Sequence, residues 1–337
     1  MKLWFKGGSW ASKRAARIVG TLHPEAIKRI AVIRHAALGD MVLTRPFLLE
    51  LRRFFPNAQI TLSLCSNYTR AAPEDLVDRV HVVYGSDRKD VPLKQQIARA
   101  RELGEQDLIF DLASTARSLY TCVLNKAKLK IGFPYKVVER FLFYDLTFPR
   151  SDFHHETDTM LDAIKIFGHR PSYPPCYAMP GEAAKRERPY IVYFPSASTP
   201  KRCWPKKSYG ELVDRMSIKY PDYEHIVLEG IADWEKVDDI VDPLAAHGNV
   251  LSMQLNDYDE TVSFVKGAVL LVANDTGIRN LAVACETPTV GIFSITPVFR
   301  YWPRHSNHEV VFCIDGSVPP VVDAEQAVAN VLVSCTE

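Results

Sequence analysis

The chain has 337 residues, of which 47% are hydrophobic and 24% are charged, a composition typical of an ordinary soluble globular protein. That length exceeds one common core and fits two domains of ~150 residues. The seven cysteines are scattered, odd in number and without zinc-ligand spacing, which argues against a disulfide framework and predicts free thiols in a reducing compartment. No apolar run reaches the ~18 residues that a membrane span needs.

The net charge of +1 conceals an uneven distribution. Residues 1–175 carry 27 Lys and Arg against 18 Asp and Glu, a balance of +9, whereas the remainder carries 14 against 22, a balance of −8. We expect the first half to attract an anionic partner. Nucleic acid is not the expected partner, because no nucleic-acid motif is present and the basic residues do not alternate periodically with aromatics. A phosphorylated lipid or saccharide fits the charge equally well.

The first 24 residues are basic and lack the apolar core of a secretory signal. Within them Trp4, Phe5 and Trp10 alternate with lysines and arginines. Such a mixture suits the interface of an anionic membrane, and the alternative is a terminus or helix that packs on the first domain. The membrane interpretation predicts a cytoplasmic protein bound peripherally to an anionic membrane surface.

Strand and helix patterns alternate along the first half. "RIAVIR", "AQITLSL", "RVHVVY" and "DLIFDL" predict strands, a helix with Phe47, Leu48 and Leu51 on one face follows the first, and "HETDTMLDAIKIFG" predicts a helix that ends at Gly168. A strand–helix–strand unit implies a parallel sheet with right-handed crossovers. We therefore predict a doubly wound domain over residues 1–175.

A proline-rich segment, residues 176–189, is the predicted linker. The alternation then restarts and predicts a second doubly wound domain over residues 190–337. Its strands are "YIVYFP", "HIVLEG", "AVLLVAND" and "TPTVGIF"; its helices are "KSYGELVDRMSIKY", "DWEKVDDIVDPLAAHG" interrupted by Pro243, "GIRNLAVACE", and a last one in "DAEQAVANVLVS". Sheets of this kind bind ligands outside the carboxyl ends of their strands.

The stretch "NDTGIRNLAVACE" carries the clearest binding signal. A strand ends at Asn274–Asp275, the chain turns at Thr276–Gly277, and a helix begins with Ile278, Leu281, Ala282 and Cys285 on one predicted buried face. The free N–H groups and dipole of such a helix end hold phosphate. The alternative is a purely structural Asp or Thr N-cap with a glycine turn.

Four motifs in order resemble glycosyltransferase family 9, the ADP-heptose:lipopolysaccharide heptosyltransferases: "GDMVLTRP", "FPSASTPKRCWPKKSYGEL", "VLEGIADWE" and "NDTGIRNLA…TPTVGIFSIT", spanning roughly residues 28–303. The resemblance implies an α/β fold with two Rossmann-like doubly wound domains facing across a cleft (GT-B type). It also implies an inverting, metal-independent transfer of a sugar, heptose from ADP-heptose, onto a lipopolysaccharide core or related glycan. No cofactor is expected beyond the nucleotide-sugar substrate.

The resemblance also assigns roles to residues. The carboxylate of the "GD" pair corresponds to Asp40, the implied general base; the alternative is that Asp40 merely N-caps the following helix. A cation two residues before Trp-Pro is Arg202, with Lys201 one residue further back, and either could contact the diphosphate. The implied donor-binding set is Ser196, Ser198, Lys201, Arg202, Glu229, Asp275, Thr276, Gly277 and Asn280. Arg34, His35 and Arg117 lie in loops of the first domain and are candidates for contacting an acceptor phosphate.

Two departures concern donor binding. The family often has His three residues after the glycine, where this chain has Asn280, and "SIT" at Ser294–Thr296 replaces the family's "GPT". Asn can donate a hydrogen bond to phosphate but cannot carry charge. The "DYD" at 257–259 imitates a metal-binding motif, yet Asp257 or Asp259 fits the cap of the next helix better.

Three other classes of protein are alternatives. A dinucleotide oxidoreductase should show G-x-G-x-x-G after its first strand, and "RHAALGD" has one glycine. A GT-B-fold enzyme with another nucleotide-sugar donor, including a sugar-nucleotide epimerase, would share the phosphate helix. A catalytically silent protein of the membrane surface is the third alternative. A retained Asp40 argues against a silent protein, and the basic first half argues against an epimerase.

Overall fold

A computed structural model describes residues 10–133 and 138–334. The chain divides into two compact units, Met1–Cys176 and Tyr177–Glu337. No helix among the described residues is long and apolar enough to cross a bilayer. The predicted contributions of Trp4 and Phe5 to a membrane-binding segment lie outside the described residues.

The first unit is a seven-stranded sheet with helices along it. Its strands are β1 Trp10–Ala11, β2 Arg29–Ile33, β3 Gln59–Cys65, β4 Arg79–Val83, β5 Gln106–Asp111, β6 Ala127–Gly132 and β7 Leu146–Thr147. Its helices are α1 Lys13–Thr21, α2 Leu38–Val42, α3 Arg45–Phe54, α4 Leu93–Arg101, α5 Ala116–Leu124, α6 Glu139–Leu142 and α7 Glu156–Lys165. The strand order is β1-β7-β6-β5-β2-β3-β4, and every pairing is parallel except that of β1 with β7.

The four predicted strands and two predicted helices of the first half are confirmed. β2 and β5 lie in the middle of the sheet and are almost entirely buried, as expected for parallel strands covered on both faces. α3 packs against the sheet with Phe47, Leu48 and Leu51. Gly168 ends the segment that includes α7, with a φ of 87° that favours glycine.

The sequence analysis missed β6 and α5. β6 reads Ala-Lys-Leu-Lys-Ile-Gly, and its lysines interrupt the apolar run that marked the other strands. α5 begins at a capping box in which Thr115 and Ser118 exchange side-chain and backbone hydrogen bonds. These two elements extend the parallel sheet away from β2 and complete the βαβ succession from β5 to β6.

The second unit contains a six-stranded, entirely parallel sheet in the order β10-β9-β8-β11-β12-β13. Its strands are β8 Tyr190–Phe194, β9 Glu224–Glu229, β10 Val250–Gln254, β11 Leu270–Asn274, β12 Thr289–Ile292 and β13 His308–Val311. Its helices are α8 Lys206–Lys219, α9 Asp238–Val241, α10 Tyr258–Gly267, α11 Gly277–Ala284, α12 Val298–Tyr301 and α13 Val321–Ser334. All four predicted strands and the helices α8, α11 and α13 are confirmed.

The helix predicted over 233–248 is broken further than expected. Residues Asp233–Glu235 form a 3₁₀ turn, α9 is short, and Asp242–His247 continues as 3₁₀. Pro243 lacks an N–H, so the α-helical ladder cannot run through it. Gly248 closes the segment in the left-handed region with a φ of 69°.

The proline-rich segment packs on the second unit. Tyr177 is buried, the N–H of Ala184 donates to the carbonyl of Ser263, and Lys266 donates to the carbonyls of Met179 and Gly181. The division between units falls after Cys176, so most of the predicted linker lies with the second unit. The exact domain boundaries remain a prediction.

Candidate active site

Asp40 lies in α2, in the loop region that follows the carboxyl end of β2. The N-cap of α2 is Ala37 and the N-cap of α3 is Thr44, so the interpretation of Asp40 as a helix cap is wrong. The backbone carbonyl of Asp40 accepts a hydrogen bond from the Thr44 hydroxyl at 2.9 Å. The side chain of Asp40 is 30% exposed, so its carboxylate is accessible to a substrate hydroxyl.

Arg34 lies beside Asp40 and is almost completely buried. Its side chain is 1% exposed, and its Nη2 lies 3.6 Å from Oδ1 of Asp40 and 3.0 Å from Oε1 of Glu156. Nη1 donates to the carbonyl of Leu112 at 2.5 Å. Because the guanidinium already contacts these groups, Arg34 acts as an ion-pair partner of Asp40. Its predicted contact with the acceptor stays a prediction.

Glu156 completes this cluster from the first turn of α7. It has no exposed side-chain surface and also pairs with Arg150, whose Nε donates to Oε2 at 3.0 Å. Two guanidinium groups therefore share one buried carboxylate. Buried charges must be paired and hydrogen-bonded to persist. The Arg34–Glu156 contact joins residues 122 positions apart, and the sequence analysis did not find it.

His35 follows β2 as predicted, whereas Arg117 lies in the first turn of α5 and not in a loop, close enough to act electrostatically on His35. Burial lowers the pKa of His35 from 6.5 to about 3, and Arg117 contributes to the lowering. His35 is therefore neutral near pH 7 and cannot attract phosphate by charge. His35 Nε2 lies 3.4 Å from the Ser63 hydroxyl, whereas its Nδ1 is buried with no hydrogen-bond partner among the described residues.

In the second unit, the loop after β8 is tied to the end of β11 by Asn274. Its Oδ1 accepts from the backbone N–H of Trp204 at 2.8 Å, and its Nδ2 donates to the carbonyl of Pro195 at 2.7 Å. These bonds hold the predicted donor loop against the predicted phosphate helix. The sequence indicated Asn274 only as the end of the strand, and these contacts join it to residues 70 and 79 positions away.

That bridge brings part of the predicted donor set together. Ser196 is buried and Ser198 is exposed. Lys201 and Arg202 belong to the 3₁₀ turn Pro200–Arg202, and Nη1 of Arg202 lies 3.9 Å from Oδ2 of Asp275. Lys201 is exposed, so the geometry favours Arg202 as the cation nearer the helix end.

Glu229 lies at the carboxyl end of β9, on the wall of a cavity of about 260 Å³. Its carboxylate accepts from Nζ of Lys236 at 2.6 Å, a partner that the sequence analysis missed. Phe194, Leu228, Gly230, Leu255 and Ile278 are among the other lining residues. The cavity is thus bounded by two strand ends and by the first turn of α11.

α11 begins where it was predicted, but its buried face is different. Thr276 is the N-cap and its side chain makes no capping hydrogen bond, which leaves both that hydroxyl and the first N–H groups available for an anion. The predicted buried residues Ile278 and Cys285 are only half-buried, whereas Arg279 and Asn280 are buried. The predicted burial of Leu281 and Ala282 is confirmed, but the buried surface of the helix is broader than the predicted apolar face because the helix is enclosed on several sides.

Asp257 is a helix cap, as expected. Its Oδ1 accepts from the N–H groups of Asp259 and Glu260 at 2.9 and 3.0 Å at the start of α10. Among residues 10–133 and 138–334, no group of three or more His, Cys, Asp or Glu side chains could hold a metal ion.

Two α/β units with largely parallel sheets, the second with an open helix end beside a cavity at its strand ends, are typical of enzymes with the GT-B fold. The family described as glycosyltransferase family 9 (heptosyltransferase) matches residues 97–327. Because that match spans more than half of its length, the chain belongs to glycosyltransferase family 9.

Individual relatives are distant but cover nearly the whole chain. Lipopolysaccharide heptosyltransferase 3 of Escherichia coli is 22% identical over 309 residues, which cover 81% of this chain and 85% of that protein. The E. coli heptosyltransferase WaaC, solved with ADP-2-deoxy-2-fluoro heptose, has a TM-score of 0.72 at 17% identity over 90% of this chain and 99% of that one. A family 9 protein from Veillonella parvula has a TM-score of 0.76 at 19% identity, covering 91% and 98%.

Proposed function

We propose that the protein is an inverting heptosyltransferase that moves heptose from ADP-heptose onto a lipopolysaccharide core or a related glycan. Membership of family 9 over residues 97–327 carries this proposal. The E. coli relatives named as a lipopolysaccharide heptosyltransferase and solved with an ADP-heptose analogue support the choice of donor and acceptor. The family membership also favours glycosyl transfer over the epimerase and silent-protein alternatives.

The second unit offers matching subsites for the donor. The cavity beside Glu229 would take the nucleoside, and the carboxylate is placed to accept from a ribose hydroxyl. The first turn of α11, with Thr276 and Gly277, would take the diphosphate through backbone N–H groups and the helix dipole. Arg202 would neutralise charge that develops on the leaving diphosphate, a role in which a fixed cation stabilises the transition state.

Asp40 would act as the base. As the acceptor oxygen attacks the anomeric carbon, its proton passes to the Asp40 carboxylate, and the bond from that carbon to the diphosphate oxygen breaks with its electron pair leaving on ADP. Attack from the face opposite ADP inverts the anomeric centre. General-base catalysis of this kind contributes ~10²–10⁴-fold.

A membrane-facing surface of the first unit would hold the enzyme near a lipid-linked acceptor. A surface concavity of about 690 Å³ is lined by Trp10, Arg14, Lys126, Lys130, Phe141 and Leu142, among others. Phe141 and Leu142 are exposed, and the ring of Trp10 packs edge-on against Phe141. Aromatic and aliphatic side chains beside cations suit the interface of an anionic leaflet. On this basis we place the enzyme at the cytoplasmic face of the inner membrane.

The direct test is release of ADP from ADP-heptose on addition of a core acceptor. We expect ADP only when both substrates are present, and no release of ADP from ADP-glucose or of UDP from UDP-sugars at the same concentration. Formation of an altered nucleotide sugar without acceptor would favour the epimerase alternative. Absence of any turnover, with donor binding retained, would favour a binding protein.

A further inference from the structure

Arg279 is a fully buried cation in the first turn of α11. The side chain has no exposed surface, and its Nε and Nη1 have no hydrogen-bond partner among the described residues. Nη2 donates to Oδ1 of Asn280 at 2.9 Å and to the carbonyl of Tyr301. Burial lowers the pKa of the guanidinium and the nearby Asp275 opposes that lowering. Burying an incompletely paired charge costs folding free energy. Its position at the helix end that is proposed to bind phosphate therefore favours a functional role.

The surroundings of Arg279 are shaped to receive it. A Cβ added to Gly291 in β12 would lie 3.1 Å from Cδ of Arg279 and 2.8 Å from the ring of Phe293. The guanidinium carbon lies 5.2 Å from the centre of that ring, a favourable cation–π distance. A glycine in the strand and an aromatic ring at its end together make room for this side chain, and any larger residue at 291 would displace it.

The contact between Arg279 and Asn280 fixes the orientation of an amide. An arginine N–H can only donate, so the atom of Asn280 that faces it must be the carbonyl oxygen. The Nδ2 group of Asn280 then points away from Arg279 with its two donors available. An asparagine held in this way presents its N–H donors, and not its carbonyl oxygen, to an anion.

We infer that Arg279 is a positioning residue that orients Asn280 as a donor to the leaving diphosphate and supplies, from beneath, the positive charge that Asn280 lacks. The inference rests on the proposed function. It accounts for the departure from the family pattern, which often has His at position 280: a cation in the helix end is retained but comes from the preceding residue. Charges in a low-dielectric interior act more strongly and are screened less by salt than exposed ones.

The test compares ADP, inorganic pyrophosphate and adenosine as ligands in titration calorimetry. Arg279→Met keeps an unbranched side chain of similar length without charge, and Asn280→Ala removes the amide. We expect each to weaken ADP and pyrophosphate binding by about 10-fold or more while adenosine binding changes less than about 2-fold, because only the phosphates meet these groups. The double variant should lose less than the product of the two single losses, since the residues act together.

A rescue separates positioning from simple structural support. Arg279→Met combined with Asn280→His should regain ADP affinity as the pH falls through the imidazole range near 6.5, where histidine becomes cationic. Because the terminal phosphate of ADP also titrates in this range, the affinity of this double variant is compared with that of wild type at each pH, and the ratio of the two should rise toward one as the pH falls. Arg215→Met is the matched control, because it removes an equal charge from α8 on the surface of the same unit and should leave ADP affinity unchanged.

The outcomes are distinguishable. Wild-type protein that binds neither ADP nor pyrophosphate overturns the donor assignment and the role of Arg279 with it. Wild-type protein that binds ADP, beside a folded Arg279→Met variant of equal affinity, overturns only the role of Arg279. Equal losses for ADP and adenosine would also overturn it. If Arg279→Met does not fold, Asn280→Asp keeps a partner for Arg279, and unchanged pyrophosphate affinity in that variant would refute the inference.

Discussion

Glu156→Gln should destabilise the first unit strongly. Glu156 is completely buried and balances the buried Arg34 and the partly buried Arg150. A glutamine keeps the size but not the charge, so two guanidinium groups lose their shared carboxylate. Removing one partner of a buried ion pair costs about 3–5 kcal/mol. For a domain of this size, about 2–4 °C of Tm is lost per kcal/mol, so we expect the transition of the first unit to fall by about 6–20 °C.

The assay is differential scanning calorimetry at pH 7, with the transition of the second unit as an internal reference. Glu102→Gln is the matched control in the same unit, because Glu102 pairs with Arg99 on the surface at 52% exposure and exposed pairs contribute about 0–1 kcal/mol. We also expect turnover to fall in Glu156→Gln, since Arg34 then has Asp40 as its nearest remaining carboxylate. A Tm within about 1 °C of wild type would refute the argument that the cluster is a buried, charge-balanced unit.

Three further predictions concern pH, metal and membrane. Burial lowers the pKa of His35 and His308 to about 3, so below pH 6.5 the unfolded chain binds protons that the folded chain does not. Urea unfolding should therefore show stability falling from pH 6.5 to 5 by about 2 kcal/mol for each histidine, offset by about 1 kcal/mol from Asp111, whose pKa is raised to about 6; constant stability over that range would contradict these shifts. Turnover should persist in excess EDTA, because cations and a helix end are proposed to hold the diphosphate, and loss restored by Mg²⁺ would instead favour a metal role for Asp257 or Asp259. The protein should co-sediment with anionic vesicles at low salt, and Phe141→Ser with Lys130→Gln should weaken this, whereas equal binding to neutral vesicles would contradict the proposed surface.

Much of the fold followed from local pattern. Central strands such as β2 and β11 are continuous apolar runs bounded by polar residues, which is the pattern that burial on both faces demands. Weakly marked elements were missed for an equally physical reason: β6 alternates lysine with apolar residues. The predicted helix over 233–248 was too long and too regular, because the sequence indicated only one break, at Pro243. The 3₁₀ segments at its two ends were not predicted.

The candidate site was only partly predictable. The position of Asp40 after a strand and the helix beginning at Gly277 follow from residues close in sequence. The pairing of Arg34 with Glu156 joins distant segments, and no local pattern indicates it. Helical periodicity selected Leu281 and Ala282 correctly but also selected Ile278 and Cys285. It did not indicate the burial of Arg279, which packs against Gly291 in the neighbouring strand.

The most direct test of the account is the turnover of Asp40→Asn with ADP-heptose and a core acceptor. Asparagine keeps the shape of the side chain but cannot take the proton of the acceptor hydroxyl. We expect turnover to fall by at least ~10²-fold, with ADP affinity and Tm close to those of wild type because the proposed ADP subsites belong to the second unit. Near-normal turnover by the folded variant would contradict the central claim that Asp40 is the base.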